Sequence, residues 1–501
     1  MSPEILRGFL AWTPVLLVLV LATGFRTQAL TLGMWGYGYT ALLALLAFDT
    51  GPRVVLLASL DGMLTTLPLL LVVYGGILLS VLLLEKGALQ RLALWLSGDG
   101  LRRVPRAVLL SFGVGNFLEG AGVVAEPVAA PMLLASGIGP KPSAALSIVG
   151  YAGLMHLSLA GVIVTVLASA TGLPVRVLAR DLGILSFPAV LLLCFSVPYI
   201  MDVPGRLKES FPVLLATGLL ASSAALLCAA YVGYSIAGML AGMAAIAFFY
   251  LLARRLPRKT PTLRRDLLPF AFLFVCLACV NLIPPLRELA FNRWVVSLDL
   301  VPRHTVRLRP FFDAYPYLFL AFLLAFALHR GPGDRMRDFI KKANPKAARA
   351  VVAMALFGAM GQVIACSGYA DGFEHFRADR NMAACLARGA MDATGEFYLF
   401  LAPLLGWAGT FLTGYGVASI MLFGKLQMEA ASMLGIPPSF LACALTVGAS
   451  VGSVSSPFKI AIATPLCGAQ GKEGEILRKT IPLGLAVSLG VGLFAWGWIR
   501  W

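Results

Sequence analysis

Charge is what this 501-residue sequence has least of: 13% of its residues are Asp, Glu, Lys or Arg, whereas 59% are hydrophobic. A water-soluble surface needs far more charge than that, so water is not the solvent for most of this chain. Acidic residues are the scarcer sign, 24 against 40 basic ones. The resulting net charge of +16 does not mark a nucleic-acid binder, because the basic residues fall in short loops between apolar runs and form no basic domain that could grip a duplex. No phosphate-binding Gly-x-x-x-x-Gly-Lys-Ser/Thr loop is present, which argues against ATP-driven pumping. The eight cysteines are scattered, mostly inside apolar runs. Cys276-x-x-Cys279 has no second pair with which to hold zinc, so we read all eight as reduced packing residues and expect no metal or organic cofactor.

What the chain does have is a succession of nearly uncharged apolar runs from end to end, each of bilayer-spanning length. Residues 9–25, 30–48 and 67–84 are the first three. The first resembles a signal-peptide core but lacks a convincing cleavage site, so it is expected to remain as a span. Residues 53–61 are short and amphipathic, and are expected to lie at the interface.

One stretch then breaks the pattern. Gly115-Asn116-Phe117-Leu118-Glu119-Gly120-Ala121-Gly122-Val123 places glycines and a carboxylate in the middle of an apolar run, and Gly409-Thr410-Phe411-Leu412-Thr413-Gly414-Tyr415-Gly416-Val417 matches it at six of nine positions. Glycine-interrupted segments at corresponding places in two halves are the sequence pointer to a transporter binding site.

The basic loops 254–265 and 330–349 both belong on the cytoplasmic side by the positive-inside rule, although the loop between them carries five arginines, Arg287, Arg293, Arg303, Arg307 and Arg309. That placement works only if residues 107–137 enter and leave the membrane on one face as a re-entrant hairpin, followed by a broken helix at 142–173. Residues 397–435 and 438–468 repeat the arrangement from the opposite face. The expected fold is therefore an all-α polytopic membrane protein with two inverted-topology repeats, about twelve spans and two hairpins. Residues 1–211 form the first repeat, 212–266 a two-span connector with its basic loop, and 267–501 the second repeat.

The segments Phe117-Leu118-Glu119-Gly120-Ala121, Phe411-Leu412-Thr413-Gly414, Ser456-Pro457 with Ile460-Ala461-Ile462-Ala463, Ser367-Gly368, and Leu422-Phe423-Gly424 with Leu426-Gln427 resemble the lactate permease family. The resemblance covers nearly the whole chain. It implies proton-coupled uptake of lactate and glycolate across a bacterial inner membrane. The family usually continues Glu-Gly-Ala-Ala-Gly-Phe-Gly-Ala-Pro after its first motif; here Gly122-Val123-Val124-Ala125-Glu126-Pro127 brings in a second carboxylate. A family lysine just before the Ser-Pro turn is replaced in Gly452-Ser453-Val454-Ser455-Ser456-Pro457.

A small carboxylate crossing lipid needs its charge met, and helix N-termini aimed at one point supply free N–H groups and positive dipole ends. Gly120, Gly122 and Gly414 let backbone approach the anion, and Asn116, Thr410, Thr413, Ser455, Ser456 and Ser158 (which aligns with Ser456) add hydrogen bonds. For each hydroxyl the plainer reading is an ordinary helix–helix hydrogen bond. Glu119 is the expected proton carrier, with a hairpin-tip cap as its bland alternative. Glu126 is a second carrier or the partner of a basic group. Lys459 supplies the positive charge missing from the family's lysine position, or else snorkels to a headgroup. His156 relays protons or simply packs.

The expected function is secondary transport of a small monocarboxylate by proton symport, with a different organic anion and sodium coupling as the alternative. An integral-membrane enzyme is the remote third, since it leaves the duplicated glycine breaks unexplained. A homodimer is compatible with this reading, and the lipid bilayer is its one required partner.

Overall fold

Apolar surroundings oblige the backbone to satisfy its own hydrogen bonds, and this chain does so almost wholly with helices. The computed structural model describes residues 3–24, 29–96, 101–253, 262–302, 304–414 and 416–500. Helices α1 (Pro3–Gly24), α2 (Ala29–Leu46) and α3 (Pro52–Glu85) are followed by a short amphipathic α4 (Ala88–Leu96). Then comes the first helix–turn–helix pair. Its leading arm is α5 (Arg103–Val108), a π turn (Leu109–Val114) and α6 (Gly115–Gly120); its returning arm is α7 (Glu126–Ala135). A broken helix follows, α8 (Pro140–Ala152) and α9 (Val162–Thr171), separated by two 3-10 turns, and then α10 (Val175–Ile200). Helices α11 (Leu207–Leu227) and α12 (Ala237–Ala253) make the connector, and α13 (Leu263–Leu282) and the short α14 (Pro284–Glu288) begin the next segment.

That segment carries a departure from the all-helical expectation. Strands β1 (Val296–Val301) and β2 (His304–Leu308) form an antiparallel pair, with Val296 opposite Leu308 and a register shift between Leu298 and Val301. The alternation Val296, Leu298 and Val306 makes this stretch strand-like, a period that the surrounding helix signal obscured. Helices α15 (Tyr315–His329), α16 (Met336–Cys366) and α17 (Met382–Thr394) lead to the second helix–turn–helix pair, α18 (Tyr398–Thr413) and α19 (Gly416–Leu434). The chain closes with a second broken helix, α20 (Pro438–Gly452) and α21 (Pro457–Ala463), and then α22 (Glu473–Arg500). Among the described residues, eight helical segments are long and apolar enough to cross a membrane.

Two local expectations fail. Residues 53–61 are not an interfacial segment but the first turns of α3, which runs unbroken to Glu85. Asp61 faces a neighbouring helix instead of headgroups. Likewise, the segment 330–349 is mostly helix: Phe339, Ala343 and Ala347 recur every four residues and are buried, which extends α16 back through the basic stretch. Most of the other basic loop, residues 254–261, lies outside the described residues.

Close backbone approach holds the bundle together, as expected where lipid removes any hydrophobic drive between helices. Helices α3 and α16 form the most extensive helix pair and cross at Gly62 and Gly358, where a Cβ on Gly358 would stand 2.6 Å from the Gly62 carbonyl oxygen. Large apolar side chains such as Leu46 and Tyr231 point outward, a cost in water but none against lipid tails.

Candidate functional site

The break between α6 and α7 puts both carboxylates of the glycine motif inside the protein: Glu119 is 2% exposed and Glu126 fully buried. Gly122, at φ +79°, reverses the chain there, and its carbonyl packs against Gly76 of α3. The Glu119 carboxylate accepts the Ala125 N–H at 3.1 Å, so it caps the turn that it helps to create. Glu126 Oε1 accepts the Tyr151 hydroxyl of α8 at 2.6 Å and lies 2.9 Å from Lys459 Nζ. Lys459 is 8% exposed and also sits above the Tyr151 ring, 5.4 Å from its centroid. The second oxygen of Glu126 has no hydrogen-bond partner among the described residues. Two carboxylates and one ammonium therefore share a dry pocket, one negative charge in excess. An ion pair this deep survives only because each charge is compensated. The snorkelling alternative for Lys459 is not what the fold does.

A second meeting place mirrors the first. The start of α19, at Gly416, approaches Met155 in the break of the first broken helix, and Ser453 Oγ donates to Met155 Sδ at 3.0 Å. Each helix–turn–helix tip thus meets the broken helix of the other half: Glu126 with Lys459, and Gly416 with Met155.

The remaining sequence candidates divide. Asn116 donates to the Phe112 and Gly150 carbonyls and ties the first tip to α8, while its Oδ1 has no partner among the described residues. The hydroxyls of Thr410 and Ser456 are buried and likewise unpartnered among them. Ser455 is committed elsewhere, donating to the Thr480 carbonyl and accepting from Trp407 Nε1. Ser158 donates to the Leu154 carbonyl. Gly120 packs on α12, where a Cβ on Gly238 would stand 3.1 Å from its Cα. Gly414, at φ +82°, caps α18 against Phe458. The Thr413 side chain lies outside the described residues. His156 has a hydroxyl on each ring nitrogen, Ser450 at 3.0 Å and Ser186 at 2.8 Å, which is how a packed neutral imidazole is satisfied.

Sequence reasoning missed a third buried carboxylate. Asp61 Oδ2 accepts Gln362 Nε2 of α16 at 2.8 Å and lies 2.6 Å from His304 Nδ1, carried in by β2. Its signal was present: an acid inside a long apolar helix is expensive wherever it falls. What hid it was the assumption that α3 began later.

A helical membrane protein whose two glycine-broken tips and two interrupted helices converge on a compensated buried charge is built as a transporter. The comparisons agree. The sequence model of the L-lactate permease family matches residues 8–266 and 306–496, and the chain belongs to that family. It is 26% identical over 436 residues to the L-lactate permease of Escherichia coli strain K12, covering 77% of this chain and 76% of that one. It is 23% identical over 516 residues to the L-lactate permease of Halalkalibacterium halodurans, covering 97% and 95%. A shorter stretch of 103 residues is 36% identical to the glycolate permease of Escherichia coli strain K12, covering 21% of this chain and 18% of that one. Members of the family are transporters and not enzymes.

Proposed function

We propose that this protein moves a small monocarboxylate of the L-lactate and glycolate type across the cell membrane together with a proton. The observation that carries this reading is the buried Lys459–Glu126 pair with Glu119 beside it. An anion cannot join that cluster while it holds an excess negative charge. When Glu119 takes up a proton, the cluster becomes neutral, and Lys459 is free to turn from Glu126 toward the substrate carboxylate. Proton and anion then bind together, and neither is stable in the site alone. Asn116, Thr410 and Ser456 have buried polar atoms without partners to offer the substrate's oxygens. In this reading His156 packs and does not relay protons.

The matching order of elements in the two halves, and the reciprocal contact of each tip with the opposite broken helix, support two inverted repeats of residues 1–211 and 267–501. Counting α8/α9 and α20/α21 as one crossing each gives twelve crossings and two re-entrant hairpins. The basic segments 254–265 and 330–349 then lie in the cytoplasm. Access alternates as the two tips open in turn.

The test is uptake of L-lactate into proteoliposomes with an imposed pH gradient, an imposed sodium gradient, or neither. Accumulation should follow the pH gradient. Accumulation that ignored pH and followed sodium would end the proton reading. Glu119→Gln should abolish gradient-driven accumulation while leaving counterflow, which needs no net proton movement.

A further inference from the structure

The five arginines of the segment between α13 and α15 have no role in the site above, and they run against the charge bias expected of that side of the membrane. Three of them, Arg287, Arg307 and Arg309, line a cavity of about 580 Å³ beneath the β1–β2 hairpin, joined by Arg176 at the start of α10. Asp313 is the one acid in that lining. Four guanidinium groups against one carboxylate give the cavity a strong positive field, and low-dielectric walls focus it.

The cavity leads inward. At its floor are His304, held 2.6 Å from buried Asp61, and Ser169 of α9, whose hydroxyl lies 3.1 Å from His304 Nε2. Tyr234 lines the cavity and also packs against Gly161 in the break of the first broken helix. Its hydroxyl is buried and has no hydrogen-bond partner among the described residues. A donor without an acceptor, under a ring of arginines, is half of a site for an anionic oxygen.

We infer that this cavity is an anion-binding antechamber, in which a small carboxylate pairs with Arg287 and Arg307 before it passes Tyr234 to the central cluster. The arginines are there for the cargo and not for orientation. Arg309 acts at a distance from the mouth: it is stacked on Phe291, 4.1 Å from the ring centroid, and donates to that residue's carbonyl, so it shapes the wall while adding charge. The identity of the carboxylate rests on the transport reading above; the anion selectivity of the cavity does not.

The two are separated by experiment. In Thr305→Cys protein, which places a thiol in the cavity lining, the rates of modification by an anionic and a cationic methanethiosulfonate of similar size are compared. The anionic reagent should react about tenfold faster or more, as for a focused positive cleft, and the ratio should fall toward one when Arg287→Gln and Arg307→Gln are added. Both arginines project to solvent, so their loss leaves packing intact. Equal rates, or a ratio that the double substitution leaves in place, would overturn the antechamber whatever the protein transports. In oriented vesicles the same double variant should raise the KM for L-lactate several-fold from the hairpin side only, with Arg307→Lys recovering most of the affinity. An equal change from both sides would place the effect at the central site and refute the inference.

Discussion

Removing the Lys459 ammonium is the sharpest perturbation that this structure offers. The pair is 2.9 Å long and both partners are buried. At an effective dielectric of about 20, two charges at that separation attract by about 6 kcal/mol. Desolvation offsets most of it, so the pair itself stabilises the fold little. Breaking it is another matter: Lys459→Met strands Glu126 beside Glu119 with only the Tyr151 hydroxyl in compensation, and removal of one partner of a buried pair costs about 3–5 kcal/mol. Lys459→Met should therefore lower the melting temperature of the purified protein in detergent by several degrees. Adding Glu126→Gln removes the stranded charge, keeps an acceptor for Tyr151, and should restore most of the loss. Neither variant should support counterflow of L-lactate in proteoliposomes, because the cation that meets the substrate is gone from both. A Lys459→Met protein that melted with the wild type and still exchanged substrate would show that the ammonium is neither buried against Glu126 nor part of the site.

Gly358→Leu drives a side chain into Gly62 at the α3–α16 crossing and should cost about 1–3 kcal/mol or more, read as a lower melting temperature and poor yield of folded protein, whereas Gly497→Leu, which meets open space, should do neither. His156→Asn gives up at least one of two buried hydrogen bonds and should cost about 1–2 kcal/mol while leaving the pH dependence of uptake unchanged; a shifted pH profile would make His156 a proton carrier after all. Asp334, in the loop before α16, pairs with Lys86 and accepts the Gly331 N–H at 2.5 Å, which holds its carboxyl below the usual carboxylate range. A depressed carboxyl stabilises the fold above the unfolded value of about 3.9 and loses that contribution as pH falls below it. Asp334→Asn should therefore destabilise slightly at neutral pH and make no difference at pH 3 in thermal unfolding.

Several features were legible in the residues alone because their physical cause is local. A run too apolar for water declares a bilayer solvent, and a glycine pair with φ freedom inside such a run declares a break; Gly122 and Gly414 both take up positive φ where the sequence placed them. The cost of an acid in lipid singled out Glu119 and Glu126 without any fold. Other features were beyond local reading. Lys459 was ambiguous between headgroup and ion pair until α21 was seen to lie against α7, because a charge in an apolar run announces only that it needs a partner and not which one. The same holds for Asp61, whose partners come from α16 and from a strand hairpin far along the chain. Ser455 and Gly120 looked like ligands by their motif and are spent on helix contacts instead. Hydropathy and backbone freedom belong to a residue and its neighbours, so composition and spacing determined the solvent, the breaks and the costly charges. Which charge compensates which is decided by helices meeting across the bundle, and only the tertiary structure holds that information.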